Sequence, residues 1–257
     1  MSILDSLRPP PDLRVLVTCG AGGMGAVMAR AFLEAGSRVH VCDIDRAALD
    51  RLTADVPGIT GSMADASVSD DVDSVFDDVQ GTLGGLDVLI NNAGIPGPAG
   101  PIETIGGAAW ERTVAVNLHS HYYFARRAVP MLRRSGASPL LIAMGSIAGA
   151  NEGAFRAACA STRWALVGLV QALARELGSD GIRVNAILPG PMEGSPRLPS
   201  PAAAGVGALK ASTLRPLPAR RSVTADDVAG LALFLCSPAA RHLTGQAIGV
   251  DGGTDRH

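Results

Sequence analysis

A β-branched run, Val15 to Thr18, passes directly into Cys19-Gly20-Ala21-Gly22-Gly23-Met24-Gly25, and apolar residues at helical spacing follow from Met24 to Ala35. This junction limits what the chain can fold into. A strand that ends in glycines and reopens as a helix leaves unpaired N–H groups, and the positive end of the helix dipole, facing a space that no side chain fills. That arrangement suits a phosphate. Glycines also serve ordinary tight turns, so the turn needs a second sign. Asp43 supplies it. It ends a second apolar run, Arg38 to Cys42, at about the distance where a carboxylate can bond an adenosine ribose.

The rest of the chain repeats the alternation. Arg46 to Ala54 is predicted as helix, Gly58 to Gly61 as strand, Val68 to Leu83 as helix and Leu86 to Ile90 as strand. A long helix is expected over Gly107 to Arg134, a strand over Leu140 to Met144, and a second long helix from about Phe155 to Gly178. Ile182 to Leu188 and Ala247 to Val250 complete the strands, with Ala225 to Cys236 a helix between them. Continuous apolar strands alternating with helices imply a parallel sheet covered on both faces, an α/β doubly wound fold. The polar or glycine-rich breaks (residues 18–25, Asp43, Asp65, 91–94, 145–146 and 189–190) all fall at strand carboxyl ends. In such a sheet, ligands bind beyond those ends.

Composition excludes several classes. With 47% hydrophobic and 18% charged residues the chain is no disordered tail. A net charge of −2 gives no attraction to nucleic acid or an anionic membrane. The four cysteines (Cys19, Cys42, Cys159 and Cys236) lack metal-site or CxxC spacing, so no metal centre is expected and a reducing compartment is. No secretory h-region opens the chain and no apolar run is read as membrane-spanning, so a cytoplasmic protein is expected. Residues 1–257 read as one nucleotide-binding domain, with a Pro-, Ala- and Gly-rich lid at about 191–218.

On these motifs the sequence resembles the short-chain dehydrogenase/reductase family over nearly its whole length. Thr18 to Gly25 matches the family's TGxxxGxG turn with Cys19 in place of its first glycine, and Asn91-Asn92-Ala93-Gly94 matches NNAG. Asn117 matches the helix asparagine, Ser146 the catalytic serine and Pro189-Gly190 the motif after the sixth strand. The resemblance implies a single-domain Rossmann-type sheet of about seven parallel strands, and hydride transfer between a nicotinamide cofactor and an alcohol or carbonyl. It places Gly20, Gly23, Met24, Gly25, Asp43, Asp65, Asn92, Ala93, Gly94, Arg163, Pro189 and Gly190 at the cofactor, with Asp65 near the adenine. Asp43 favours NAD, because a carboxylate repels the extra phosphate of NADP; Arg46 keeps NADP as the minor alternative. Partners are then a small-molecule substrate and further copies of the chain, a homodimer or homotetramer, with a hetero-oligomer as the variant.

The family's YxxxK is missing. Cys159 stands at the tyrosine position and Arg163 at the lysine position, and no shift of register restores the motif because Lys210 is the sole lysine. Tyr122 and Tyr123, the only tyrosines, are assigned to an interface. A thiol is intrinsically more acidic than a phenol, about 8.5 against 10, so acidity is no obstacle. Reach is. Sγ sits on Cβ, several Å short of a phenol oxygen, and proton transfer needs hydrogen-bond contact or a bridging water. An arginine fork can still bond ribose hydroxyls, yet it keeps its charge and cannot relay a proton. Three classes follow: an NAD-dependent oxidoreductase with an Asn117-Ser146-Cys159-Arg163 site and weak or rerouted redox activity; a non-redox enzyme of lyase, isomerase or cyclase type; and an inactive nucleotide-binding subunit. Cys159 is expected to be a small buried residue more than a reactive thiol. His119 and His121 are given no role, and Trp110 and Trp164 are expected to pack.

Overall fold

The computed structural model describes residues 2–147, 155–190, 192, 219 and 221–253. After a short helix α1 (Ile3–Ser6) come β1 (Arg14–Thr18), α2 (Gly23–Glu34), β2 (Arg38–Asp43), α3 (Arg46–Asp55), β3 (Ile59–Met63), α4 (Ser69–Leu83) and β4 (Val88–Asn91). Then follow α5 (Gly107–Val114), a π-helical segment (Ala115–His119), α6 (Ser120–Leu132), β5 (Leu140–Met144), α7 (Ala157–Leu177), β6 (Arg183–Pro189), α8 (Ala225–Cys236) and β7 (Ala247–Val250). The seven strands form one sheet in the order β3-β2-β1-β4-β5-β6-β7, every pair parallel.

Alternation along each strand builds two cores. Leu16, Cys42, Leu89 and Leu141 face a cluster completed by α4, α6 and α7. Val15, Val17, Val41, Ile90 and Ile142 face the opposite cluster, completed by α2, α3 and α8. Burial on both faces explains why the strands read as continuous apolar runs. At one end of the sheet, Arg14 bonds Asp87 at 2.6 Å. Burial pushes the Asp87 carboxyl up, but hydrogen bonds from Arg14 and Ser135 outweigh it and hold the group below its ordinary value.

The order reverses between β1 and β4. Beyond their carboxyl ends the covering helices depart to opposite faces, and a crevice opens. Thr18, fully buried, closes its floor: its Oγ1 accepts the N–H of Asn92 at 2.8 Å and of Ala93 at 3.1 Å. Strand and helix ends shift from expectation by a residue or two, as hydrogen-bonded termini do. The long helix expected through Asn117 forms, with a π-helical turn in its middle that the sequence pattern does not announce.

Two expectations on α7 and the lid need correction or limits. The helix Ala157–Asp180 is long and apolar enough, by length and composition, to cross a membrane, although no such run was expected. Its face Leu166, Val170, Ala174 and Leu177 lies in the sheet core, which accounts for that apolar stripe as packing. Trp164, expected to pack, is 57% exposed, because its position falls on the opposite face. The lid at 191–218 lies outside the described residues except for Met192, which bridges to Val223.

Candidate active site

The glycine turn is shaped by what its glycines exclude. A Cβ on Gly25 would run into the carbonyl oxygen of Cys19, and one on Gly20 would meet Val41 and the carbonyl of Val17 at 2.7–2.8 Å. Gly23 adopts φ +50°, a backbone state glycine enters freely. Cys19 takes φ +47° without that freedom, a conformation that costs an L-residue about 1 kcal/mol. The Cys19 thiol is pushed up to about 12, by burial first and then by Asp43 and Asp65. Where α3 is capped by Asp45 and α8 by Thr224, α2 begins at Gly22 with no side-chain cap. Its first N–H groups are left for another acceptor.

From the turn a cleft of about 340 Å³ extends in both directions, lined by Cys19, Gly22, Met24, Gly25, Asp43, Asn92, Gly94, Met144, Gly145 and Arg163. At one end the Asp43 carboxylate is fixed by the N–H of Ala21 at 3.0 Å and of Asp45 at 3.1 Å. Arg46 does not reach toward it; its guanidinium pairs with Asp50 at 2.9 Å. Asp65 is not among the lining residues. Its carboxylate meets Arg112 at 3.1 Å and accepts from Ser67.

The other end is built from β5, α7 and the segment after β4. Arg163 donates through Nη1 to the carbonyls of Met144 at 2.9 Å and Gly145 at 3.2 Å, capping the end of β5. A Cβ on Gly94 would stand 2.8 Å from Arg163 Nη2, so the glycine after Asn92 and Ala93 makes room for the guanidinium. Cys159, one turn before Arg163, is 5% exposed. Thr162 ties that turn to the long helix. It donates to the Cys159 carbonyl at 3.0 Å and accepts from Asn117 Nδ2 at 3.2 Å. Asn117 sits in the π-helical turn, fully buried. Its amide also bonds both the N–H and the carbonyl of Ile95, at 2.7 and 3.0 Å. Ser146 lies just beyond β5, its Oγ 3.5 Å from the Pro189 carbonyl. Gly190 packs on Asp251, whose Cα a Cβ would approach to 2.7 Å.

His121 is the residue that the sequence reading passed over. It is buried at the base of this end, Nε2 3.2 Å from the Ala93 carbonyl, and its pKa is lowered to about 4, by burial first, with Arg163 adding to the effect. The signal was there: His121, Phe124, Ala125 and Ala128 share one helical face, and all are buried. Three buried polar atoms around the cleft have no hydrogen-bond partner among the described residues: Asn92 Oδ1, His121 Nδ1 and Arg163 Nε. The structure thus joins the turn, Asp43, Asn92, Gly94 and Arg163 in one cleft, with Asn117 and Cys159 directly behind it.

Comparison with known proteins agrees with this geometry. Residues 20–255 match a family model described as enoyl-(acyl carrier protein) reductase. A 3β-hydroxysteroid dehydrogenase 2 of Eggerthella lenta is 32% identical over 242 residues, 93% of each chain. A 7α-hydroxysteroid dehydrogenase solved with NADH and 7-oxo glycochenodeoxycholic acid superposes with a TM-score of 0.85 at 29% identity over 98% of each chain. A 3-ketoacyl-(acyl-carrier-protein) reductase from Brucella melitensis, solved with NADH, gives 0.83 at 29% identity, over 93% of this chain and 97% of the other.

Proposed function

Because the chain belongs to the short-chain dehydrogenase/reductase family, we propose that it is an NAD(H)-binding oxidoreductase acting on an alcohol or carbonyl of a small molecule. The observation that carries this reading is the continuous cleft from Asp43, across the uncapped end of α2, to Arg163. Its parts suit a dinucleotide: a carboxylate for a ribose diol, free N–H groups for a pyrophosphate, and an unpartnered amide oxygen at Asn92. Gly20, Gly23, Met24 and Gly25 would hold the pyrophosphate. Asp43 would hold the adenosine ribose, with Asp65 beyond it. Asn92, Ala93, Gly94, Arg163, Pro189 and Gly190 would surround the nicotinamide half. Bound there, the nicotinamide ring supplies the hydride donor or acceptor. Asp43 without a free arginine beside it favours NAD over NADP.

The protein's own contribution is orientation and proton handling. Ser146 Oγ donates to a substrate carbonyl oxygen and polarises it. Arg163, anchored on two carbonyls, bonds ribose hydroxyls and keeps its charge. Asn117, locked to Ile95 and Thr162, fixes the turn bearing Cys159 and Arg163. The Cys159 thiol is too short to meet a carbonyl held by Ser146, so water or a substrate hydroxyl carries the proton. Loss of a positioned general acid typically lowers rates by about 10²–10⁴-fold, which makes this a slow or rerouted member. Tyr122 (50% exposed) and Trp164 on the long helices support self-association as a homodimer or homotetramer. The four free thiols support a cytoplasmic location.

The test is restoration. Cys159→Tyr with Arg163→Lys, assayed by NADH oxidation against a panel of ketones and aldehydes, should raise turnover by about 10²-fold or more over wild type. If no carbonyl is reduced by either protein, the redox reading fails and non-redox chemistry in the same cleft replaces it.

A further inference from the structure

The two ends of the cleft carry opposite charge. Asp43 stands at one end with its oxygens held by backbone N–H groups. Arg163 stands at the other, and no carboxylate pairs with it among the described residues. Its Nη1 faces two carbonyl oxygens, and its buried Nε has no partner. Carbonyl dipoles orient a guanidinium without cancelling a full charge. Two titratable neighbours among the described residues are themselves uncharged: His121 is held neutral at about 4 and Cys19 is a neutral thiol at about 12. If Asp43 marks the adenosine end, the ring that carries redox chemistry lies at the Arg163 end.

We propose that Arg163 makes this site select the redox state of its cofactor, holding the neutral dihydronicotinamide of NADH well above the cationic ring of NAD⁺. The inference rests on the cofactor reading given above. Oxidised and reduced forms share every adenosine and pyrophosphate contact, so any difference in affinity must arise at the ring and its neighbours. Two like charges about 6 Å apart, at an effective permittivity of about 20, weaken association by roughly a hundredfold; water at the cleft mouth reduces this to about tenfold. A guanidinium cannot shed its proton to relieve the repulsion. The site would therefore be filled by reduced cofactor in preference to oxidised, and would release the oxidised form more readily.

The experiment is a calorimetric titration of the full-length protein with NADH, NAD⁺ and ADP-ribose, repeated on Arg163→Gln, Arg163→Met and Arg163→Lys. Wild type should bind NADH at least about tenfold more tightly than NAD⁺. Removing the charge (Gln or Met) should bring the two within about threefold, while Lys should keep the preference. ADP-ribose, which lacks the ring, reports whether a variant still folds its adenosine half. Equal affinity of wild type for NADH and NAD⁺ overturns the inference. So does a preference that survives both neutral variants while ADP-ribose still binds. If wild type binds neither NADH, NAD⁺ nor ADP-ribose, the cofactor reading itself falls and takes the inference with it; binding of ADP-ribose and both dinucleotides without discrimination removes the inference alone.

Discussion

Two neutral, buried histidines set an acid limit on this fold. His40 lies between Thr60, 2.7 Å from Nδ1, and Ser62, 2.8 Å from Nε2. Because the Ser62 hydroxyl donates to Asp78, His40 must donate through Nε2 and accept through Nδ1. His121 uses one nitrogen on the Ala93 carbonyl and leaves Nδ1 unpartnered. A proton added there would be a buried, unpaired charge near Arg163. Burial lowers both from the ordinary 6.5 to about 4. The unfolded chain therefore binds two more protons than the native one between these values. Their stabilisation is complete above pH 6.5 and is lost as pH falls toward 4. Each group contributes about 3 kcal/mol, most of which is gone by pH 4.5. A combined loss of about 5 kcal/mol compares with a typical total of 5–15. Urea unfolding followed by circular dichroism, from pH 7.5 to 4.5, should show stability falling by about 2–3 kcal/mol per pH unit below pH 6. His40→Gln and His121→Gln, which retain a donor at the Nε2 position, should each halve that slope. A flat profile in wild type, or an unchanged slope in the double variant, would refute the reasoning. The lowered carboxylates, Asp65 and Asp87, act in the same direction but nearer pH 4 and below.

Two further substitutions probe the crevice. Thr18→Val removes the acceptor for the Asn92 and Ala93 N–H groups, and should cost about 1–3 kcal/mol by urea unfolding and weaken dinucleotide binding. Gly25→Ala drives a methyl into the Cys19 carbonyl; dinucleotide binding should be lost by titration, while far-ultraviolet dichroism shows the sheet still formed.

The sheet was legible because its strands are buried on both faces, so runs such as Leu86 to Ile90 carry a signal that no tertiary context reverses. The turn and Asp43 were legible for a related reason: the phosphate site is local, formed within one strand–helix–strand unit. Contacts made across the sheet were not. Nothing near Asp65 announces Arg112, which reaches it from α5, 47 positions later. The burial of His121 depends on α6 lying over β4, although its helical register with Phe124 carried the hint. The π-helical turn that seats Asn117 has no sequence signature, since it answers to the Ile95 backbone and to Thr162 on α7. Trp164 shows the converse. Helical spacing told that it could pack, but not that its face of α7 points away from the sheet.

The central claim is that the cleft from Asp43 to Arg163 is a nicotinamide dinucleotide site of the NAD type. Its most direct test is a fluorescence titration of the purified protein with NADH, with NADPH alongside. Saturable NADH binding in the micromolar range, with NADPH at least about tenfold weaker because Asp43 repels its extra phosphate, is the predicted result. Failure of both to saturate would contradict the claim, and tighter binding of NADPH would contradict the role given to Asp43.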